Sequence, residues 1–174
     1  MNHQEAIDYL YKADPILAQA IAEFGNCQLG WAAPQSNLLE VLAWAIISQQ
    51  ISTVAANRIY QRFLSLYPDQ DSLDTEVVLQ TPEEKLRNIG ISRYKVRYLK
   101  NLAQHILTDL PTLADLEAME DEAIIQILTQ VKGIGAWTVQ MLLIFRLHRL
   151  DILPSGDLGI RQAVKNLYQL EELP

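Results

Sequence analysis

Cysteine is almost missing from this chain. Cys27 is the single one in 174 residues, which excludes an internal disulfide and any multi-cysteine zinc or iron–sulfur site; Cys27 itself reads as a core or loop residue. Long apolar runs are missing as well. Although 49% of the residues are hydrophobic, no uninterrupted run approaches the roughly 20 residues that a membrane-spanning helix needs. The opening Met1-Asn2-His3-Gln4-Glu5 has no basic segment leading into an apolar stretch, so nothing marks the chain for secretion and the cytoplasm is the default expectation. Positive charge is scarce: 14 Lys and Arg stand against 21 Asp and Glu, a net charge of -7. That balance argues at first sight against a nucleic-acid partner, because phosphate neutralisation supplies most non-specific affinity.

The distribution of charge qualifies its total. Acidic residues cluster at Asp69, Asp71, Asp74, Glu76, Glu83 and Glu84, and again at Asp109, Asp115, Glu117, Glu120, Asp121 and Glu122; both clusters read as solvated faces. Basic residues gather at Arg87, Arg93, Lys95, Arg97 and Lys100, and more loosely at Lys132, Arg146, Arg149, Arg161 and Lys165. One surface can therefore still be positive.

No sustained period-2 alternation, internal repeat or low-complexity tract is present, and helix-type patterns follow one another between Pro/Gly or polar breaks. The expected fold class is all-α, in one compact unit. Helix is predicted around Glu5 to Phe24 with a break at Asp14-Pro15, ended by Gly25-Asn26, and a loop runs on to Asn37. From Leu38, the stripe Leu39, Leu42, Ala43, Ile46 and Ile47 is helical; Ser48-Gln49-Gln50 interrupts it before a second helix that starts near Ser52 and ends by Pro68. Thr81-Pro82-Glu83-Glu84 reads as a helix start, with Thr81 as the N-cap hydroxyl. Ser92 caps a basic amphipathic helix in which Val96 and Leu99 face inward and Arg93, Lys95, Arg97 and Lys100 point outward. Short helices over Leu113 to Met119 and Asp121 to about Gln130 lead into Val131-Lys132-Gly133-Ile134-Gly135, a tight hairpin. The next helix, Ala136 to about Leu147, is apolar almost all round and is expected to be the buried centre. A last helix opens at Asp157 and runs to about Tyr168.

Three features can carry chemistry, each with a plainer alternative. The hairpin glycines let backbone approach a phosphate, and the N–H groups opening the next helix favour an anion; a simple turn between packed helices has the same pattern. Asp157 is an N-cap by position, a setting that also favours an ionised carboxylate, as a reaction developing positive charge on a sugar requires. Trp137 supplies core area or floors a pocket for an extruded, cationic base.

The residues from Leu128 to Leu143, centred on Val131-Lys132-Gly133-Ile134-Gly135-Ala136-Trp137-Thr138, resemble the hairpin motif of the helix-hairpin-helix (HhH-GPD) DNA glycosylases. They are most similar to the 3-methyladenine DNA glycosylase II group, in which a Trp follows the hairpin. Ala45-Ile46-Ile47-Ser48-Gln49-Gln50-Ile51-Ser52, Gly90-Ile91-Ser92-Arg93-Tyr94-Lys95-Val96-Arg97-Tyr98-Leu99 and Leu153-Pro154-Ser155-Gly156-Asp157-Leu158-Gly159-Ile160-Arg161 match the same group, in uninterrupted order from about Asp14 to Tyr168.

The resemblance implies a compact multi-helix glycosylase fold, one domain over residues 1–174, with a cleft between two helical lobes. It implies a monofunctional glycosylase that hydrolyses the N-glycosidic bond of alkylated, 3-methyladenine-type bases in duplex DNA. Asp157 falls on the catalytic aspartate, Trp137 on an aromatic wall of the base pocket, and Lys132, Gly133, Ile134, Gly135 and Thr138 on the phosphate clamp. Gln49, Gln50 and Ser52 fall on the loop that enters the minor groove, Gln50 where a side chain fills the gap left by the flipped nucleotide. Relatives that also nick the strand carry a Schiff-base lysine where Trp137 stands, so no lyase activity is expected. No organic cofactor is implied; some relatives hold a monovalent cation on hairpin carbonyls, here those of Val131 and Gly133. The partner is duplex DNA carrying a damaged base, met by a monomer away from membranes and associated with the nucleoid in function. Group members continue past the last helix in a Trp/Pro/Arg-rich segment, whereas this chain stops at Leu173-Pro174, so a C-terminal segment of the family is expected to be missing. A truncated piece, a short natural form and an inactive, DNA-binding paralogue with an incomplete pocket all fit that ending. A helical interaction protein with no nucleic-acid role is the reading that the acidic balance alone favours.

Overall fold

The structure, a computed structural model, describes residues 3–25, 37–68 and 72–174. Cys27, the loop leading to Asn37, Asp69, Asp71 and the first two residues lie outside the described residues. Those described form eleven α-helices and no strand: α1 (His3–Ala13), α2 (Pro15–Phe24), α3 (Leu38–Ser48), α4 (Thr53–Leu64), α5 (Thr75–Gln80), α6 (Glu83–Asn88), α7 (Arg93–Thr108), α8 (Leu113–Glu117), α9 (Asp121–Leu128), α10 (Ala136–Phe145) and α11 (Leu158–Leu167). Among the described residues, no helix is long and apolar enough to cross a membrane. The chain divides into two compact units, one of residues 33–142 and one joining 1–32 to 143–174.

In the unit of residues 33–142, α7 packs against α3, α5 and α6, and α3 packs against α4. The apolar stripes meet there: Leu39, Leu42, Ala43, Ile46 and Ile47 of α3 and Val96, Leu99, Leu102 and Ala103 of α7 are all buried. Each fully buried Leu or Ile contributes about 1.5–3 kcal/mol relative to an exposed one, so this seam contributes substantially to stability. Asn37 starts α3 with a reciprocal capping box. Its side chain accepts the Glu40 N–H at 2.9 Å while Glu40 accepts the Asn37 N–H at 3.1 Å, and Glu40 also takes the Leu73 N–H at 2.8 Å. Trp44 meets Tyr60 edge to face at 5.2 Å, and burial, aided by the Glu40 charge, pushes the Tyr60 phenol up to about 12.

Three sequence expectations change in this unit. Thr81 does not cap α6. It ends α5, its hydroxyl donating to the Val77 carbonyl at 2.8 Å, and Pro82 holds the N-cap position of α6 without a side-chain bond; the short helix α5, opened by Asp74, was not predicted. Ser92 occupies the N-cap of α7 but makes no capping bond through its side chain. Of the four cations expected to point outward from α7, Arg93 and Arg97 are exposed, whereas Lys95 and Lys100 turn inward. Lys100 donates to the carbonyls of Val78 at 3.0 Å, Leu79 at 2.5 Å and Thr81, at the negative C-terminal end of α5. Burial holds both lysines below the usual ammonium value; at Lys100 the Glu83 charge works against that shift.

In the other unit, Asp14 caps α2 by accepting the N–H groups of Ile16 at 2.8 Å and Leu17 at 3.0 Å. Its second carboxylate oxygen accepts the Tyr168 hydroxyl at 2.5 Å, which ties the start of α2 to the end of α11. The break predicted at Asp14-Pro15 is thus a cap followed by Pro at the first helical position.

Candidate functional site

Residues 129–135 turn the chain from α9 into α10. The turn closes on itself through the Ile134 N–H donating to the Val131 carbonyl at 3.0 Å, and the Gly135 carbonyl accepts the Val139 N–H at 3.2 Å as the first bond of α10. Val131 and Ile134 are buried and anchor the turn, while Lys132 and Gly135 are exposed. Gly133 has a φ of 95°, a region that only glycine enters without strain. A methyl group there would also sit 2.4 Å from ring carbons of Tyr98. The hairpin therefore lies directly against α7, and the Lys132 N–H donates to the Asn101 side chain at 2.9 Å.

Trp137, the second residue of α10, is 49% exposed. The helix is apolar in composition but is not the wholly buried centre that composition suggested. Thr138, Val139, Leu142 and Leu143 are buried, whereas Trp137 and Phe145 are not. An apolar ring half open to solvent at the first turn of a helix is placed to stack on a planar ligand. Thr138 is 5% exposed, so the residue is packed into the protein rather than presented at the surface.

The Ser48 to Ser52 segment joins α3 to α4 in the same unit. Ser52 caps α4 by accepting the Ala55 N–H at 3.3 Å. Gln50 is exposed and has a φ of 56°, uncommon for a non-glycine residue. Gln49 turns back instead, its side-chain amide donating to the Gly133 carbonyl at 2.9 Å. Lys95 completes the junction: its ammonium donates to the carbonyls of Ile47 at 2.8 Å and Gln49 at 2.7 Å. Loop and hairpin, 84 positions apart between Gln49 and Gly133, are thus bonded together and seated on one stretch of α7 formed by Lys95, Tyr98 and Asn101. Sequence reasoning named none of the three as a site residue, although Lys95 stands in the basic cluster and Lys95 and Tyr98 lie in the matching Gly90 to Leu99 stretch. Their spacing of three along a helix does not distinguish a lysine on a helix C-terminus from a solvated one.

The two carbonyls that the resemblance offers to a monovalent cation are both engaged within the protein, Val131 by the Ile134 N–H and Gly133 by Gln49. Each of these oxygens keeps a second lone pair beyond that bond, so the residues present leave room for a cation at the hairpin, with further ligands needed to complete its shell.

Asp157 belongs to the other unit. It is the N-cap of α11, its Oδ1 accepting the Ile160 N–H at 3.0 Å, and its own N–H donates to the Pro154 carbonyl at 2.8 Å. Gly159 leaves room for that carboxylate: a Cβ at this position would lie 3.0 Å from Oδ1. The capping role expected of Asp157 is thus present, with the carboxylate half-buried.

Comparison with known proteins gives consistent results. The family described as HhH-GPD superfamily base excision DNA repair protein matches residues 43–174. DNA-3-methyladenine glycosylase 1 of Schizosaccharomyces pombe is 37% identical over 151 residues, 86% of this chain; the chain spans 66% of that relative's length. The alkylbase DNA glycosidase-like protein mag2 of the same organism is 29% identical over 99% of this chain and 82% of its own. Among solved structures, the S. pombe 3-methyladenine DNA glycosylase Mag1 in complex with abasic DNA superimposes with a TM-score of 0.87 at 34% identity, covering 98% of this chain and 83% of that one.

Proposed function

Because the chain belongs to the HhH-GPD superfamily of base excision DNA repair proteins, we propose that it is a monofunctional DNA glycosylase which removes alkylated, 3-methyladenine-type bases from duplex DNA. The observation that carries this reading is the junction of hairpin and helix: a self-closed turn with Gly133 at positive φ delivers the chain into α10, where Trp137 stands half exposed. Exposed backbone at a helix start attracts a DNA phosphate, and Lys132 beside it is exposed. Gln50 enters the minor groove and occupies the space of the extruded nucleotide. Extrusion costs a few kcal/mol, less at a damaged pair, and the Trp137 ring stacks on the base, favouring a cationic one.

Asp157 supports cleavage of the bond between base and sugar. As that bond breaks, positive charge develops on the sugar, and a carboxylate in a fixed orientation stabilises it and orients a water. The product is an abasic site. Trp137 bears no amine, so no Schiff base forms at that position and the strand stays intact.

Single-turnover excision tests the proposal, on a labelled duplex with one hypoxanthine and on methylated DNA, developed with and without alkali. Base release with strand breaks only after alkali is the expected result. Salt-sensitive binding without release would replace the enzyme with a DNA-binding module, and breaks without alkali would overturn the monofunctional assignment.

A further inference from the structure

We infer that Lys95 and Gln49 are positioning residues, a strut that fixes Gln50 relative to the hairpin, and that neither touches DNA. The inference rests on the glycosylase reading and goes further, because it removes one cation and one amide from the DNA-contacting set.

Lys95 lies between Arg93 and Arg97, both exposed, and on charge alone it would be a phosphate contact. Its ammonium instead has two carbonyl partners, at 2.8 and 2.7 Å. They belong to the end of α3, where helix carbonyls lack partners in their own helix and the dipole is negative. The Gln49 carbonyl immediately precedes Gln50, whose φ of 56° is the strained position of the loop, and the Ile47 carbonyl lies two residues further back, in the last turn of α3. A non-glycine residue persists in such a conformation where its surroundings over-determine it. Lys95 and Gln49 do so on one side of Gln50, and the Ser52 cap does so on the other. The Gln49 amide, bonded to the Gly133 carbonyl, then sets the distance from Gln50 to the phosphate-facing turn. Tyr98 and Asn101 seat that turn on the same helix.

Binding to a duplex with one abasic site, measured across a salt series, separates strut from contact. Lys95→Met is expected to weaken binding by about tenfold with an unchanged salt slope, since one charge-assisted interaction is lost but no phosphate contact. A slope reduced by about one counterion would make Lys95 a phosphate ligand and overturn the inference. Lys95→Arg covers the case in which the Met variant does not fold. Arginine keeps the charge and binds phosphate well but does not fit the geometry that one ammonium makes with two carbonyls, so a strut loses affinity on this change and a phosphate contact keeps it. Gln49→Ala, Gln50→Ala and the double variant form a cycle. If Gln49 acts through Gln50, the double variant binds within about twofold of Gln50→Ala; losses that multiply would give Gln49 a contact of its own. Wild-type protein without salt-sensitive binding would bring down the glycosylase reading, and this inference with it.

Discussion

Asp157 caps α11 through bonds to its neighbours in sequence. Its carboxylate accepts a bond from three residues ahead, its N–H donates three residues back, and its carbonyl accepts the Arg161 N–H at 3.0 Å. The hairpin and the glutamine loop are held by the opposite means. Gln49 reaches Gly133 across 84 positions, Lys95 reaches Ile47 across 48, and Asn101 reaches Lys132 across 31. The cap bonds of the proposed chemical group are thus local, whereas the bonds of the proposed DNA grip are long-range and converge on α7. The consequence is a division of sensitivity: a substitution that preserves the Asp157 cap can separate chemistry from capping, whereas substitution in the grip changes fold and binding together.

Asp157→Asn sharpens that contrast most. Asparagine caps a helix about as well as aspartate, so Tm should move by no more than about 2 °C, while the single-turnover excision rate falls by about 100-fold or more. A tenfold loss or less, at unchanged Tm, would leave Asp157 as a cap alone. Gly133→Ala is expected to show the other behaviour. It forces φ of 95° on a side chain and drives a methyl group into Tyr98, costing at least about 1–3 kcal/mol of stability by chemical denaturation. DNA affinity should fall with it; retained affinity in the destabilised protein would show that hairpin geometry does not set binding. Trp137→Ala comes next. Because the ring is half exposed, its removal should leave the fold nearly intact and reduce excision of cationic alkylated bases about 2- to 30-fold more than that of hypoxanthine. Equal losses on both lesions would make the ring a structural element.

The smallest effect concerns the clasp between Asp14 and Tyr168. The Tyr168 hydroxyl, followed by the Leu17 N–H, holds the Asp14 carboxyl below its usual 3.8, and the Asp14 carboxylate holds the Tyr168 phenol above its usual 10.0. Stability from a depressed carboxyl is present above pH 3.8 and lost as pH falls through the lowered value. Stability from a raised phenol is present below pH 10.0 and lost as pH rises through the raised value. Tyr168→Phe should therefore be slightly less stable than wild type across the window between those values, and the two unfolding curves should converge beyond both ends. A difference that persists after the Asp14 carboxyl is protonated would assign the effect to packing instead.

What could be read in the sequence follows the same division. The break at Asp14-Pro15, the cap at Asp157, the interruption after Ser48 and the two-glycine turn all depend on residues within a few positions of one another, and all are present in the structure. The errors fall where local signals were equivocal or distant partners decide. Thr81 has the chemistry of a cap at either end of a helix, and the end of α5 claimed it. Lys95 and Lys100 carry the pattern of an exposed basic face, yet the C-terminal carbonyls of α3 and α5 drew them in.

The amino-acid order by itself determined that this chain is helical, where most of its helices begin and end, and which carboxylate and aromatic ring stand at helix starts, because caps, glycine turns and apolar periodicity act over one or two turns of chain. The tertiary structure alone decided that Gln49 faces the hairpin while Gln50 faces out, that Trp137 stays half open on an apolar helix, and that two lysines serve helix ends. Each of these outcomes depends on a partner tens of residues away, or on which surface the packing leaves uncovered, and no short-range preference encodes either.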